Sequence, residues 1–406
     1  MFLRIIRLGW KNVWRSPTRS GVVIIAVLLG TWAGLFISAF FNGMAQGYLK
    51  NQLNLSIGHI QITHPRFEDQ FNPQYDIEQR EAVMDTLRSK PYITAILPQS
   101  LSTGLAQSAS NSFGVTIHGV RSGAGRSHPI REHIEQGDFL ESVSRNPAVV
   151  GVALADRLNL ELRSKIVLSF QDVNGEITAG AFRVAGIYDA SNDAFEKSNL
   201  FVEREDLNRL LGRREMIHKV TLKVDDFTSA QAHTGQLAAL LPELRVVSWA
   251  EIAPELEYVY SAMDISLYII MIIIIIALVF SIINTMLMAI LDRTRELGML
   301  MAVGMNQPRL FLMVLSETFF LTMAGAPLGL FLSWVSIALL EDTGINLSAF
   351  AEGLNAYGIG TVIYPEISAA YYLNIALMIA AAALLSSLYP AWKTLKLKPV
   401  EAIRKV

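Results

Sequence analysis

The sequence predicts an α-helical membrane protein with four transmembrane helices and a large α+β extracytoplasmic (periplasmic) domain inserted between helices 1 and 2. Three observations predict it. Only 17% of the 406 residues are charged, where a soluble protein carries about a quarter, and the mean hydropathy is positive. Four stretches, 22–41, 265–291, 318–340 and 367–392, lack charge over the roughly 20 residues that cross a hydrocarbon core. Finally, Lys and Arg are spread unevenly over the short segments between these stretches, which sets orientation.

Taken in order, residues 1–20 form an amphipathic arm. Leu3, Ile6, Leu8, Trp10, Val13 and Trp14 alternate with Arg and Lys at helical spacing, which suits a helix lying on the anionic inner leaflet. Pro17 is expected to end it. The first span, 21–41, is too long for a signal-peptide apolar region and reads as an uncleaved anchor. Residues 42–264 read as a folded α+β domain with a stalk. Strands are expected at 56–63, 114–120, 165–170, 182–188, 199–203, 218–224 and 244–249, where β-branched residues alternate. Asn174-Gly175 signals a type I′ hairpin. Apolar residues three or four apart predict helices at 78–89, 152–158, 204–211 and 229–241. The same spacing over 250–264 (Ile252, Leu256, Val259, Met263) predicts a stalk continuous with the second span, with Pro254 able to kink its first turn.

The second span, 265–291, contains a run of isoleucines that local propensity would also allow as a strand; its length decides for a membrane helix. Residues 292–309 are expected to form a short cytoplasmic helix between the second and third spans. The third span occupies 310–340, a short periplasmic loop 341–366, the fourth span 367–392 and a cytoplasmic tail 393–406. Arg4, Arg7, Lys11, Arg15 and Arg19 precede the first span, and Arg293, Arg295 and Arg309 lie between spans two and three. Lys393, Lys396, Lys398, Arg404 and Lys405 close the chain, and 341–366 has neither Lys nor Arg. Both termini are therefore expected in the cytoplasm, with 42–264 outside.

Several functions are excluded at this level. Cysteine is absent, which removes disulfides, thiolate metal sites and a lipidated N-terminal Cys. The seven histidines show no HExxH spacing, and the pairs His59/His64 and His128/His133 are five apart, off a common helix face; no metal site is expected. The predicted outer domain carries more acids than bases, against nucleic acid as a partner. Neither G-x-S-x-G nor a paired His–acid motif is present, so an independent membrane enzyme lacks its constellation. No GxxxxGK[ST] motif occurs, so the chain does not itself cradle ATP phosphates.

Within the spans, Gly30/Gly34 and Gly325/Gly329 are small-xxx-small pairs that permit close helix approach. Asn284 is a polar group in lipid that needs a partner. Glu317 lies near the inner face, where neutral burial or a local basic partner accounts for it better than a proton relay does.

The functional signal is the segment 284–304. The second span ends at Asp292, and a short helix follows, with Leu297, Leu300, Met301 and Val303 as its apolar residues and Gly304 as its stop. A short helix between two spans, apolar on one face, is what docking into a soluble partner requires; alone, it could equally be an interfacial loop. The run DRTRELGMLMAVGMNQPRLFLMVLSETFFLTMAGAPLGL resembles the coupling segment and third span of FtsX/MacB-type ABC transporter permeases. Arg295, Glu296, Gly298, Gly304, Glu317, Gly325 and Gly329 fall on that pattern. The tail resembles the family's closing signature at Tyr389, Pro390, Ala391, Pro399, Val400, Glu401 and Ala402, and GHIQITHP with VVGVALADRLNL…FRVAGIYDA resembles its extracytoplasmic domain. Arg163 stands where relatives tend to have Gly.

The resemblance implies a non-catalytic permease subunit working as a dimer with a second copy or a paralogue. ATP and Mg would be bound by a cytoplasmic ABC ATPase dimer, with no cofactor in this chain. The lipoprotein-releasing LolC/LolE branch looks nearest, which implies lipoprotein cargo, membrane lipid contact and a periplasmic carrier or adaptor. A MacB-like exporter using an adaptor and outer-membrane channel, and an FtsX-like regulator of periplasmic enzymes, are the alternatives. The expected ATPase-coupling residues are Arg295, Glu296, Leu297, Gly298, Leu300, Val303 and Gly304. The expected substrate groove is lined by Phe36, Phe40, Ile269 and Ile273.

Overall fold

The computed structural model describes residues 10–11, 13–15, 17–67, 72–122, 128–143 and 145–395. They fall into two compact units. One gathers Gln46–Tyr260 with Asn346–Val362; the other draws on Met1–Ala45, Ser261–Ile345 and Ile363–Val406.

Among the described residues, four helices are long and apolar enough to cross a membrane. The first, α1, is Pro17–Gln52. A π-turn over Leu53–Ile57 follows, so the first strand begins later than the alternation suggests, as β1 at Ile60–Thr63.

The outer unit then runs through α2 (Arg80–Arg88), β2 (Ile93–Gln107), β3 (Ser112–Val120), β4 (Ile134–Gly137), β5 (Pro147–Gly151), α3 (Val152–Leu158), β6 (Lys165–Gln171) and β7 (Ile177–Tyr188). Next come α4 (Asp193–Ser198), β8 (Asn199–Glu203), α5 (Arg204–Leu211), β9 (Lys219–Val224), α6 (Ala230–Leu240), β10 (Arg245–Ser248) and the single turn α7 (Trp249–Ile252).

These strands make two structures that share β2. Its first half, Ile93–Gln99, pairs with β9, and β9 with β1 and β1 with β10, all antiparallel. Helices α2 and α6 pack on this sheet. From Ser100 onward β2 pairs with β3, and from Gly104 with β6 on its other edge. The ring closes through β3–β8, β8–β5, β5–β7 and β7–β6. The result is a six-stranded barrel, and closure removes the exposed edges that an open sheet would present. Gly104 stands at the closure, where a Cβ would collide with the carbonyl oxygen of Ser169. Ile117, Ile166, Leu168, Phe182, Val184, Leu200 and Val202 fill the core, capped by Leu154 and Leu158 of α3 and Leu207 and Leu211 of α5.

Differences from the sequence reading have local causes. The fifteen-residue β2 was not expected, because Pro98, Ser100, Ser102, Thr103 and Gly104 interrupt its apolar alternation. β5 is buried at every position and shows no alternation. The β6–β7 hairpin forms, but not with a two-residue type I′ turn: Asp172 N donates to Glu176 O, and only Gly175 has positive φ. That is a three-residue loop with glycine in the left-handed position. Arg163 has φ 67°, so the turn before β6 keeps a left-handed backbone without glycine; Arg163 N donates to Val184 O at 2.8 Å.

The other unit contains α8 (Pro254–Asp292) from Ser261 onward, α9 (Thr294–Ala302), α10 (Gln307–Glu341) and α12 (Ala369–Leu395), with α1 up to Ala45. The short α11 (Ala351–Ala356) belongs to the outer unit. Pro254 occupies the first position of α8 and produces no kink there; the helix is continuous for 39 residues. Both glycine pairs are contact points. A Cβ on Gly34 would stand 3.2 Å from Ile274 and Met271 of α8, and Gly30 faces Leu278. On α10, Gly325 and Gly329 receive the backbone of α1: a Cβ would lie 2.7 Å from Ile24 O and Leu28 O respectively. In lipid, where apolar burial between helices gives little, such close backbone approach is the main source of packing energy. Hydrogen bonds add to it, from Trp32 Nε1 to Ser336 Oγ (3.1 Å) and from Tyr371 OH to Leu267 O (2.9 Å). Asn284 is exposed on α8.

Candidate coupling site

The site lies where α8 gives way to α9. Arg293 leaves helical geometry at φ −101°, ψ 14°, and Thr294 Oγ1 donates back to Ile290 O and Leu291 O. α9 ends at Gly304, whose φ of 105° lets Met305 N reach Leu300 O, the left-handed helix stop that glycine permits. Asn306 Oδ1 then accepts from Arg309 N and caps α10, with Pro308 in its first turn.

α9 therefore lies as a short bar between two spans, and its faces are distinct. Thr294, Leu297 and Gly298 are buried, and Leu297 joins a core with Met286, Ile290, Leu310, Met313 and Val314. Glu296 and Leu300 are half-buried. Arg295, Met299, Ala302, Val303 and Gly304 face outward, with Val303 89% exposed. Of the expected coupling residues, Leu297 and Gly298 thus hold the bar to its own bundle and leave the outward surface to Arg295, Val303 and Gly304. Met299, which the sequence reading did not single out, shares a face with Arg295 and Val303 at four-residue spacing.

Charge secures the bar. Arg293 Nη1 lies 3.2 Å from Glu317 Oε1 of α10, and Glu317 is only 5% exposed. Glu317 thus has the local basic partner that its position requires. Arg15 Nη2 approaches Glu296 Oε1 at 3.5 Å. Both pairs line a cavity of about 180 Å³ with Met286, Leu297, Leu300 and Met313. On the arm, Val13 is buried, Trp10 packs edge-on against Phe320 at 5.3 Å, and Trp14 is exposed. Residues 1–9, 12 and 16 of the arm, and Pro399, Val400, Glu401 and Ala402 of the tail signature, lie outside the described residues.

The four expected groove residues do not share a surface within one chain. Phe36 stacks on Trp32 at 5.9 Å and Phe40 packs edge-on against Phe41 at 5.7 Å, both half-buried. Ile269 and Ile273 are 52% and 61% exposed. Met271, Ile274 and Leu278 take the side of α8 that faces α1; at 100° per residue, Ile269 and Ile273 fall on the opposite side.

In the outer unit, burial governs the histidines. His118 is held between Gln99 Oε1 (3.1 Å) and Asn199 Oδ1 (2.8 Å), stacked on Phe201; burial pushes its pKa down to about 3. His128 packs on Phe139 and Phe201, and burial lowers it to about 4. Among the described residues, no three His, Cys, Asp or Glu side chains are grouped to hold a metal.

Comparison with known proteins identifies the architecture. The model of the MacB-like periplasmic core domain matches residues 20–240, and that of the FtsX-like permease C-terminal domain matches residues 268–399. The chain belongs to the FtsX/MacB family of ABC transporter permeases. Among its relatives is the lipoprotein-releasing system transmembrane protein LolC of Haemophilus influenzae, 21% identical over 94% of this chain and 92% of LolC. Another is the macrolide export ATP-binding/permease protein MacB of Vibrio parahaemolyticus, 21% identical over 100% of this chain; this permease spans only 60% of that MacB. The periplasmic region of MacB from Actinobacillus actinomycetemcomitans is similar to 52% of the permease at 17% identity and a TM-score of 0.36. The domain between the first two membrane helices is the family's periplasmic core, and α9 lies within the matched permease domain.

Proposed function

We propose that this permease couples ATP hydrolysis by a separate cytoplasmic ATPase dimer to movement of its periplasmic domain, and that its task is extraction of lipoproteins from the inner membrane. The observation that carries the reading is the way α9 is tied to α8 and α10. α8 is unbroken from Pro254 to Asp292, and the single non-helical residue that joins it to the bar, Arg293, is paired with Glu317 of α10, so displacement of the outward-facing surface of Met299 and Val303 is passed to the long helix. The Lys and Arg distribution supports placing α9 and both termini in the cytoplasm. Similarity to LolC over nearly the full length of both chains favours lipoprotein as cargo.

Such extraction needs external energy. Each buried CH₂ contributes about 0.8 kcal/mol to anchoring, so three long acyl chains amount to roughly 30 kcal/mol. Two permease subunits, identical or paralogous, would bring Phe36 and Phe40 of one to Ile269 and Ile273 of the other, forming the apolar groove that one chain does not assemble. ATP-driven closure of the bars would then collapse it, passing the cargo to a periplasmic carrier. In this reading ATP and Mg are bound by the ATPase, and the permease needs no cofactor of its own.

Photocrosslinking from these four positions in the nucleotide-free complex tests the reading. Adducts with lipoprotein are expected. Adducts with phospholipid alone, together with normal outer-membrane lipoprotein in depleted cells, would overturn lipoprotein release in favour of MacB-like export through an adaptor and outer-membrane channel.

A further inference from the structure

The segment joining the third and fourth spans is grouped with the outer domain over residues 346–362, not with the helices that it connects. α11 lies against α4. At the end of α1, Asn51 Nδ2 donates to Ala190 O at 3.2 Å and to Gly358 O at 3.4 Å, so one amide holds both segments. Gly358 sits at φ 72°, and a Cβ there would stand 2.9 Å from both Asn192 Nδ2 and Gln52 Nε2. Three stretches of chain that are distant in sequence therefore meet at one small polar contact.

The two sides of this contact are built differently. On the receiving side, Ser191 N donates to Asp189 Oδ1 (2.7 Å) and Ala190 N to Glu196 Oε1 (2.8 Å). Glu196 Oε2 also accepts from Ala153 N, and Asn192 Oδ1 from Phe195 N. The turn after β7 is thus fixed to the start of α3 and to α4, and through them to the barrel. On the arriving side, α11 buries none of its residues. Asn355 Oδ1 is buried without a hydrogen-bond partner, and the two bonds from Asn51 are at the long end of the range. A fixed strut would bury apolar surface. A small polar contact with an unsatisfied acceptor is poorly stabilised when closed and opens readily.

We propose that residues 346–362 form a releasable latch, closed on Asn51 and the 189–192 turn at rest and opened when the third and fourth spans shift. The segment is covalently continuous with α10 and α12, so a shift of either is felt at Gly358. The periplasmic domain would then be governed at two places, through α8 and through this latch. The proposal rests on the coupling role proposed above.

Hydrogen exchange followed by mass spectrometry on the full chain in nanodiscs tests it, with Asn51→Ala and Gly358→Ala as variants. Both variants are expected to speed exchange about tenfold in 189–195 and 347–360 together, leaving β5 and β8 unchanged. Unchanged exchange, or a change in one segment alone, would overturn the latch. In the complex with the ATPase, ATP is expected to accelerate the same two segments in the wild-type chain. Equal protection with and without ATP, while the ATPase stays bound and turns over, would mean a fixed strut and overturn release. Failure of the ATPase to bind would overturn the coupling role instead, and the variants alone would then decide the latch.

Discussion

Arg293 Nη1 lies 3.2 Å from Glu317 Oε1, and this ion pair joins the hinge between α8 and α9 to the first turns of α10. The pair fixes where the bar can lie relative to the third span. Both side chains are largely shielded, so removing one takes a counter-charge from the other in a poorly solvated place. Breaking such a pair costs about 3–5 kcal/mol. Arg293→Ala is therefore expected to lower the melting temperature of the purified permease clearly, and the swap of Arg293→Glu with Glu317→Arg to restore part of the loss. Equal destabilisation by the swap and by the single variant would show that the pairing itself contributes nothing.

The faces of α9 separate two kinds of defect. Val303→Asp and Met299→Asp place a carboxylate on the outward surface, and burying it unpaired against a partner costs about 1–3 kcal/mol or more. Loss of ATPase co-purification with unchanged melting is expected. Leu297→Asp, in the bundle core, is expected to lower melting instead. Retention of the ATPase by Val303→Asp would place docking elsewhere.

Sidedness has a direct assay, because the chain has no cysteine to interfere. Ile177 and Val303 are 81% and 89% exposed. A membrane-impermeant maleimide added to spheroplasts is expected to label Ile177→Cys at once and Val303→Cys only after lysis. Prompt labelling of both would reject the proposed orientation.

How much of this was legible in the sequence depended on which physical signal each feature leaves. Apolar length and the Lys/Arg bias are additive over many residues, so four spans stood out. Strands half-buried in alternation, such as β6, were legible at the residue level; β2 was not, because a strand that changes partner midway need not alternate. At α9 the composition marked a short helix apolar on one face, but burial depends on angle around the axis, so the burial of Leu297 and the exposure of Met299 were not legible. The contact of Asn51 with Ala190 and Gly358 left no trace at all. It joins positions 139 and 307 residues apart through amides that any loop could carry.

Acid should act on the periplasmic domain through its buried histidines. His118 and His128 are held neutral by burial, with pKa values of about 3 and about 4 against an ordinary 6.5. Lys219 also lowers the first, and Lys223 and Arg131 the second. A folded-state pKa below the unfolded one means that the unfolded chain binds more protons as pH falls. The stabilisation is thus complete above about pH 6.5 and is lost progressively down to about pH 4 for His128 and pH 3 for His118. At about 1.4 kcal/mol per unit, each histidine would withdraw roughly 3 kcal/mol by pH 4. His118→Gln keeps a hydrogen-bonding side chain between Gln99 and Asn199 but cannot titrate. Melting of the full chain is expected to fall steeply between pH 6.5 and 4 in the wild type and less steeply in His118→Gln. Parallel curves for the two would show that His118 is not among the groups through which acid acts.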